Sequence, residues 1–323
     1  MFIDDTDPAG DDTPKIQRAI QYATTYNVPL FFPPKTYKVY KTLSITAGNK
    51  LYISGFGSNS VIEANPRAHD GFSDGDSVFH IYCKGSGLKD TYVGNFAIHF
   101  SSPIKEEPKL QKSIIGIRVK GNPGPNALFE NLHIHDNERE TNNKVGIEIY
   151  ELDTDTYVND KGETKHLSTE STCVTFRRIV GRYIKGAGIA CGSAHSTLFT
   201  ECDMVHCDYG IYLGGGSNIT IANCRLDEAL FGIYCNGSQD PNAIYPETKL
   251  ERYKQSQGSP HNLTIRNNRF ENTNTEWVDA KYNGKLRAGI MLIAFGSNTD
   301  SYMLAQNINI FGNFFDGMIV SEE

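Results

Sequence analysis

Acidic side chains cluster ahead of two copies of a Gly-Ile-Tyr sequence. Asp208 precedes the copy that starts at Gly210, and Asp227 with Glu228 precedes the copy that starts at Gly232. Hydrolysis of a glycosidic bond needs one protonated and one ionised carboxyl, about 5–9.5 Å apart. Crowding of acids raises the pKa of one of them and so creates a proton donor. We therefore predict that Asp208, Asp227 and Glu228 are catalytic.

A second set of side chains near these acids is suited to contact a sugar chain. Tyr212 and Tyr234 occupy matching outward positions of the two Gly-Ile strands, and an aromatic face with a polar tip suits a sugar ring. Nearby basic, acidic and aromatic side chains supply charge and hydrogen bonds. The other predicted substrate-binding residues are Glu148, Tyr150, His206, Arg225 and Arg182.

A sequence repeat supplies the elements that must position these residues. An apolar residue is followed by apolar or small residues at +2, +5 and +7, often with Asn at +4, and then by a Gly-Ile strand. Short strands that return in this way cannot bury their apolar faces alone, so stacked coils must share one core. The pattern predicts a solenoid with coils that begin at Leu51, Thr91, Ala127, Val174, Thr197, Ile219, Leu263 and Ile308.

Two columns of this repeat are predicted to be structural. We expect a left-handed turn at +4, because Asn tolerates that backbone conformation. The side chains at +5, beginning with Phe56, are expected to face the core. In this column we expect Cys202 to stack over Cys224, both as buried free thiols. The +4 column contains Asn95, Asn131, Asn223 and Asn267, with Arg178 and Glu201 in two coils.

The N-terminal segment predicts a cap for the solenoid. Apolar residues recur at helical spacing from Ile16 to Ala23, and Pro14 suits a first helical turn. The Gly-Asp-Asp-Thr at residues 10–13 and the Phe-Pro-Pro-Lys-Thr-Tyr at residues 32–37 resemble the N-terminal signature of the pectate-lyase-like superfamily. That resemblance implies an all-β fold, a right-handed parallel β-helix with an N-terminal capping α-helix.

The domain organisation follows from the same signature and repeat. We predict an N-terminal cap at residues 1–45 and a parallel β-helix of about eight coils at residues 46–323. No closing element follows the last strand pattern, so we expect an uncapped last coil and further polypeptide or partner subunits after it.

One strand also resembles polygalacturonase-type glycosidases. Residues 186–193 read Gly-Ala-Gly-Ile-Ala-Cys-Gly-Ser, where that family has Gly-His-Gly-Ile-Ser-Ile-Gly-Ser, so that Ala187 replaces His. Asp208 lies just before its Gly-Ile strand, much as an acid does in that family. The resemblance implies a catalytic role for Asp208 and no other residue.

Composition and charge argue against several partners. The formal net charge of -7 is unfavourable for binding nucleic acid. No apolar run is long enough to span a membrane and no basic, apolar leader follows Met1, so we expect no membrane segment. Seven cysteines without disulfide or zinc spacing predict no metal site, and nothing in the sequence indicates a cofactor.

Three functions fit these observations. We favour an endo-acting glycosidase of the bacteriophage tailspike or capsule depolymerase type, which hydrolyses a bacterial surface polysaccharide such as capsule or O-antigen. It would be a homotrimer in a virion tail fibre or spike, or otherwise extracellular. The second is a polysaccharide lyase that cleaves uronate chains by β-elimination, with Arg182, Arg225 or Arg269 neutralising the carboxylate. The third is a tail adhesin that binds glycan without cleaving it.

Overall fold

The computed structural model is a right-handed parallel β-helix with an α-helix at its N-terminal end. The structure describes residues 10–65, 71–73, 75–83, 88–100, 114–136, 145–150, 156–158, 164–166, 171–192, 194–236, 260–271, 288–293 and 306–316. Within these ranges, the backbone alone is described at residues 150, 156–158, 164–166, 171–172, 236, 293 and 306.

The predicted cap helix is confirmed at Thr13–Tyr26. Pro14 lies in its first turn, where the missing N–H has no helical partner to lose. Ile16 and Ile20 are buried, and the helix packs against the strand Leu43–Ala47. The helix therefore covers apolar side chains at the start of the solenoid. Within the described ranges no helix is long and apolar enough to cross a membrane.

The Gly-Asp-Asp-Thr motif ties the start of this helix to the next strand. Asp11 Oδ1 accepts a hydrogen bond from the N–H of Thr13 at 2.8 Å, which satisfies a helical donor. Asp12 Oδ2 accepts from the N–H of Lys38 at 3.0 Å, and Thr13 Oγ1 accepts from the N–H of Tyr40 at 2.9 Å. The motif is therefore structural, which explains why it indicates a fold and carries no information about activity.

The Gly-Ile strands form one parallel sheet, called here the Gly-Ile sheet. Its inward side chains, such as Ile211 and Leu213, belong to the main core. Among the described residues it contains the strands Leu43–Ala47, Ser77–Cys83, Ile115–Lys120, Val145–Tyr150, Ala187–Cys191, Tyr209–Leu213, Phe231–Asn236 and Ala288–Ile293.

Glycine recurs in this sheet because neighbouring coils approach closely there. A Cβ at Gly210 would lie 2.5 Å from the carbonyl oxygen of Gly232, and a Cβ at Gly188 would lie 2.8 Å from the carbonyl oxygen of Gly210. No larger residue fits these positions without a backbone shift. The repeated Gly-Ile sequence is thus a consequence of coil packing.

The second and third strands of each coil form a longer parallel sheet. A separate antiparallel pair joins Thr156–Val158 to Thr164–His166. Within the described residues the long sheet contains Leu30–Phe31, Lys35–Val39, Lys50–Ser54, Ser60–Ala64, Asp90–Phe100, Ala127–Asp136, Ser171–Thr172, Val174–Arg182, Ala194–His195, Leu198–Thr200, Asp203–Val205, Gly216–Ala222, Arg225–Asp227, His261–Arg266, Arg269–Glu271, Gln306–Phe311 and Phe314–Asp316.

The register confirms the predicted coil starts. Where strand pairing includes a predicted coil start, that residue lies opposite the start of the next coil. Thr197 is placed in the same column indirectly, because the next residue, Leu198, pairs with Thr175 and with Thr220. Directly paired starts are Leu51 with Thr91, Ala127 with Val174, Ile219 with Leu263, and Leu263 with Ile308. The division into a cap of residues 1–45 and coils of residues 46–323 stays a prediction.

The inward position predicted for Phe56 is wrong. A short 3₁₀ helix, Gly57–Asn59, interrupts this coil, and Phe56 is 53% exposed. Because Val61 pairs with Ala97, the preceding residue Ser60 takes the place in register with Phe96. The Ser60 hydroxyl is buried and donates to the carbonyl oxygen of Phe32 at 2.7 Å. The inserted turn therefore shifts the core position by four residues.

The predicted left-handed turn at +4 is confirmed. Asn95 and Asn131 have φ of 59° and 48°, and Nδ2 of Asn131 donates to Oδ1 of Asn95 at 2.9 Å. Arg178 and Glu201 adopt the same conformation, with φ of 54° and 55°. A second asparagine ladder, which the repeat pattern did not predict, lies just before the coil starts and consists of Asn218, Asn262 and Asn307.

The cysteines of the repeat are core residues, as predicted. Cys202 and Cys224 are buried free thiols in the same column. The pKa of Cys202 is raised, mainly by its burial and to a smaller extent by the neighbouring Cys224. Burial likewise raises the pKa of Cys207 to about 12. Such thiols stay protonated and behave as small apolar side chains. Asn268 continues the column and accepts a hydrogen bond from the N–H of Cys224 at 2.9 Å.

Candidate functional site

The outward side of the third strands carries ionisable side chains over several consecutive coils. Asp203 lies in register with Arg225, and Val205 lies in register with Asp227, while the intervening Met204 points into the core. We call this surface the third-strand face. Its members are His99, His133, His135, Arg182, Asp203, Arg225, Asp227, Arg269 and Glu271.

Arg225 is the centre of an ion-pair network on this face. Its Nη2 donates to Oδ2 of Asp227 at 2.7 Å, its Nε lies 3.7 Å from Oε2 of Glu271, and its Nη1 lies 3.9 Å from Oδ1 of Asp203. Arg182 Nη2 donates to Oδ2 of Asp203 at 2.9 Å. Arg269 also pairs with Glu271. The arginines therefore hold carboxylates of three successive coils in fixed positions.

Two of these carboxylates have one oxygen without a hydrogen-bond donor. Oδ1 of Asp203 and Oδ1 of Asp227 are buried and lack a hydrogen-bond partner among the described residues. The contact between Arg225 and Asp203 at 3.9 Å is too long for a hydrogen bond. A buried polar atom without a partner is uncommon in proteins and requires an explanation, such as a role in binding or catalysis.

The turn after each third strand places a second group of side chains beside this face. Tyr183, His206 and Glu228 have φ of 55°, 55° and 47° and occupy matching turns of successive coils. The rings of Tyr183 and His206 stack with centroids 4.6 Å apart. Nδ1 of His206 lies 2.6 Å from Oε2 of Glu228. The prediction that His206 lies beside the acids is correct.

Asp208 lies in the same turn region, between the strands Asp203–Val205 and Tyr209–Leu213. It is only 2% exposed, and its carbonyl oxygen accepts a hydrogen bond from the N–H of Phe231 at 2.9 Å. Asp227, by contrast, lies on the third strand itself. The predicted catalytic residues therefore occupy a strand and two turns of adjacent coils, and their catalytic roles stay predictions.

Three histidines extend the third-strand face towards the N-terminus. The rings of His99 and His135 lie with centroids 3.8 Å apart. Burial, together with His135 and His133, lowers the pKa of His99 to about 4, and burial also lowers the pKa of His133 and of His135. These imidazoles are consequently neutral near pH 7.

The predicted tyrosine platform is closed in the structure. Tyr212 and Tyr234 stack in adjacent coils as expected, with centroids 5.4 Å apart and an interplanar angle of 22°. However, they are 5% and 2% exposed and form an apolar cluster with Tyr209 and Phe231 on the outer side of the Gly-Ile sheet. The ring faces contact each other, so they offer no free surface to a sugar ring.

Glu148 is also engaged within the protein. Nε of Arg118 donates to Oε2 of Glu148 at 2.5 Å, and both residues are buried. A second guanidinium nitrogen of Arg118 donates to the carbonyl oxygen of Gly75 at 2.8 Å. This side of the Gly-Ile sheet therefore holds a buried ion pair where we predicted a binding residue. The side chain of Tyr150 lies outside the described residues.

The structure thus separates the predicted site residues into two groups. It collects Asp227, Arg225 and Arg182 on the third-strand face, with His206 and Glu228 in the adjoining turn. The tyrosines and Glu148 lie on a different sheet. Three further members of the site, Asp203, Glu271 and Tyr183, were not among the predicted site residues, although the coil register combined with strand alternation was sufficient to find them.

The described part of the chain contains no group of three or more His, Cys, Asp or Glu side chains arranged to hold a metal ion.

A parallel β-helix with an N-terminal cap and an outward ionisable face is an architecture of pectate-lyase-like proteins. Residues 5–234 match the family described as rhamnogalacturonase A/epimerase, pectate lyase-like, and the chain belongs to this family. This confirms the superfamily that the N-terminal signature suggested. A search of curated proteins found no match.

Solved structures resemble this chain over most of its length at low identity. WceF of Pantoea stewartii, a glycan biofilm modifying enzyme, is 10% identical with a TM-score of 0.48, over 93% of this chain and 39% of WceF. The Dettilon tailspike protein is 14% identical with a TM-score of 0.48, over 98% of this chain and 62% of that protein. ORF18 of Geobacillus virus E2 is 13% identical with a TM-score of 0.39, over 94% of this chain and 58% of ORF18. The chain thus spans less than two thirds of each of these proteins.

Proposed function

We propose that the protein is an endo-acting polysaccharide depolymerase that hydrolyses glycosidic bonds of a bacterial surface polysaccharide at the third-strand face. The observation that carries this proposal is the carboxylate of Asp227. Arg225 holds one of its oxygens at 2.7 Å, while the other is buried without a donor among the described residues. Membership of a pectate-lyase-like family supports action on a polysaccharide.

The face has the shape that a linear polymer requires. Its side chains stand in columns on consecutive coils about 4.8 Å apart, so the same types of contact recur along the solenoid axis. Arg182 and Arg225 are each 46% exposed and keep donors available to sugar hydroxyl or carboxylate groups. A chain laid along the axis would pass His135, Arg182 and Asp227 in turn.

Hydrolysis at this face follows the two-carboxyl scheme. One carboxyl gives a proton to the glycosidic oxygen as its bond to the anomeric carbon breaks, and a water oxygen bonds to that carbon. The second carboxyl takes a proton from this water when the configuration is inverted. We propose Asp227 as one member of the pair, with Asp208 and Glu228 as the further candidates from the sequence.

The neutral histidines favour a second candidate function, β-elimination on a uronate chain. An imidazole with a lowered pKa accepts a proton near pH 7, and His133 and His135 lie close to Arg182, which influences the pKa of both. Arg182 would then neutralise the uronate carboxylate. Elimination leaves an unsaturated sugar that absorbs in the near ultraviolet, whereas hydrolysis produces reducing ends without this absorbance.

The test is incubation of the purified protein with a panel of capsular and O-antigen polysaccharides, with both products measured. We expect new reducing ends without near-ultraviolet absorbance. Absorbance would favour elimination, and binding without either product would favour a glycan-binding adhesin. Amide variants of Asp208, Asp227 and Glu228 identify the site, and full activity in all three would contradict it.

We further propose that the protein acts as a homotrimer in a virion tail fibre or spike. Cys202 and Cys224 are buried free thiols in adjacent coils, which supports synthesis in a reducing cytosol and suits a virion protein assembled inside a host cell. Analytical ultracentrifugation of the purified chain tests the trimer. A monomer with full depolymerase activity would contradict the idea that the active protein needs three subunits.

A further inference from the structure

Asp203 and Asp227 share an arrangement that the other carboxylates described on the third-strand face lack. In each, an arginine binds Oδ2, at 2.9 Å from Arg182 and at 2.7 Å from Arg225, and Oδ1 is buried without a hydrogen-bond partner among the described residues. The two acids follow each other on adjacent coils. An arrangement repeated in this way leaves two buried acceptor atoms that no donor of the described residues satisfies.

From this geometry we propose that Asp203 is a further catalytic carboxylate, paired with Asp227 across the guanidinium of Arg225. This inference rests on the proposed hydrolysis. Asp203 lies opposite Arg225, and Asp227 is two residues further along the same strand as Arg225. Parallel strands lie about 4.8 Å apart and rise about 3.3 Å per residue, so the backbone positions of the two acids lie about 8 Å apart. Carboxyl separations of about 6.5–9.5 Å leave room for a water and are typical of inverting hydrolysis.

The surroundings of the two acids assign their roles. Guanidiniums of Arg182 and Arg225 flank Asp203, whose side chain is 27% exposed and so is open to a water molecule. Asp227 is 6% exposed and lies in register with the carboxylate of Glu271. We therefore assign the role of base to Asp203, the more exposed of the two acids, and the role of acid to Asp227.

The reaction step is balanced with one water molecule. The carboxylate of Asp203 takes a proton from the water while the water oxygen bonds to the anomeric carbon. The bond between that carbon and the glycosidic oxygen breaks, and this oxygen receives the proton of Asp227. The products are two shorter chains, one with a new reducing end, and solvent returns the proton from Asp203 to Asp227.

The experiment measures kcat and KM of Asp203→Asn on the polysaccharide that the wild-type protein degrades. We expect kcat to fall at least about 100-fold, with KM changed no more than about threefold, because general base catalysis is lost while substrate contacts remain. The acidic limb of the pH profile of kcat/KM should disappear, which a purely structural role would not cause. Glu201→Gln, two residues earlier, exposed and 3.5 Å from Arg178, is the matched control and should keep wild-type kcat.

Each outcome bears on the proposal. Activity of Asp203→Asn within about tenfold of wild type, or an unchanged pH profile, overturns the role of Asp203 alone. If Asp203→Asn does not fold, Asp203→Glu keeps the charge beside Arg182 and displaces the carboxyl, so its activity decides in the same way. A wild-type protein that releases no product overturns the proposed function itself and this inference with it.

Discussion

The outer side of the Gly-Ile sheet and the third-strand face carry similar residue types but differ in what those residues contact. On the Gly-Ile sheet, Tyr212 and Tyr234 stack on each other and Arg118 neutralises Glu148, all of them buried. On the third-strand face, Arg225 is 46% exposed and Asp227 keeps one oxygen without a donor among the described residues. Polar and aromatic columns therefore indicate a site only where their contacts are incomplete.

The strongest test of this difference is the loss of activity in Asp227→Asn. We expect kcat to fall by about 10²–10⁴-fold, because the amide neither donates nor accepts the proton that the reaction transfers. Asp316→Asn, on the last third strand described, is an isosteric control at an exposed position in the same column. Asp227→Asn with more than about a tenth of wild-type activity would remove the reason to prefer this face.

Removal of one partner of the buried ion pair between Arg118 and Glu148 tests whether the outer side of the Gly-Ile sheet is closed. Arg118→Met leaves the carboxylate of Glu148 buried without its guanidinium, and we expect the free energy of unfolding to fall by about 3–5 kcal/mol. Chemical denaturation measures the change. The double variant Arg118→Met with Glu148→Leu should recover much of the loss, because it removes the unpaired charge. A single variant as stable as wild type would show that this column is more open than the structure indicates.

Removal of an aromatic ring tests the same sheet with a smaller effect. Tyr234→Leu loses the stacking with Tyr212 and the edge-to-face contact with Tyr209, and we expect the free energy of unfolding to fall by about 1–3 kcal/mol. Thermal unfolding measures this change. KM for the polysaccharide should change little in the folded variant. A large rise in KM with unchanged stability would restore the sugar platform and contradict the comparison.

The smallest expected effect is a loss of stability in acid that arises from the histidines of the third-strand face. The pKa of His99 is about 4 in the folded protein and about 6.5 in the unfolded chain, so between these values the unfolded chain binds more protons. The contribution of His99 to the free energy of unfolding is therefore fully present above about pH 6.5 and is lost as the pH falls towards 4. His99→Gln should flatten the dependence of the thermal midpoint on pH between 7 and 5. His195→Gln, on a histidine of the long sheet outside this cluster, is the control and should keep the wild-type slope.

Much of the fold could be predicted because each coil repeats one set of packing constraints. Leu263 and Ile308 were correctly placed in register from the apolar spacing, and the positive φ of Asn131 followed from the tolerance of Asn for a left-handed turn. The exception, Phe56, shows the limit of this reasoning. A four-residue turn preserves the local pattern of apolar residues but moves the next core position to Ser60.

The site was predicted less completely, because catalysis depends on contacts between coils. Asp208, Asp227 and Glu228 were chosen from their position before Gly-Ile strands, a criterion that passed over Asp203. The pairing of Asp203 with Arg225 becomes visible only when the register is known. Burial of Tyr234 was not predictable either, since strand alternation shows that a side chain points outwards and does not show whether other residues cover it.

The amino-acid sequence by itself determined the parallel β-helix, its cap helix, the coil register and the free cysteines of the core. Each of these depends on local spacing that every coil repeats, so the pattern can be recognised without coordinates. Only the tertiary structure decided which outward column is closed and which keeps oxygens without a donor among the described residues. That distinction depends on distances of a few ångströms between side chains of different coils, and the spacing of residues along one chain does not contain them.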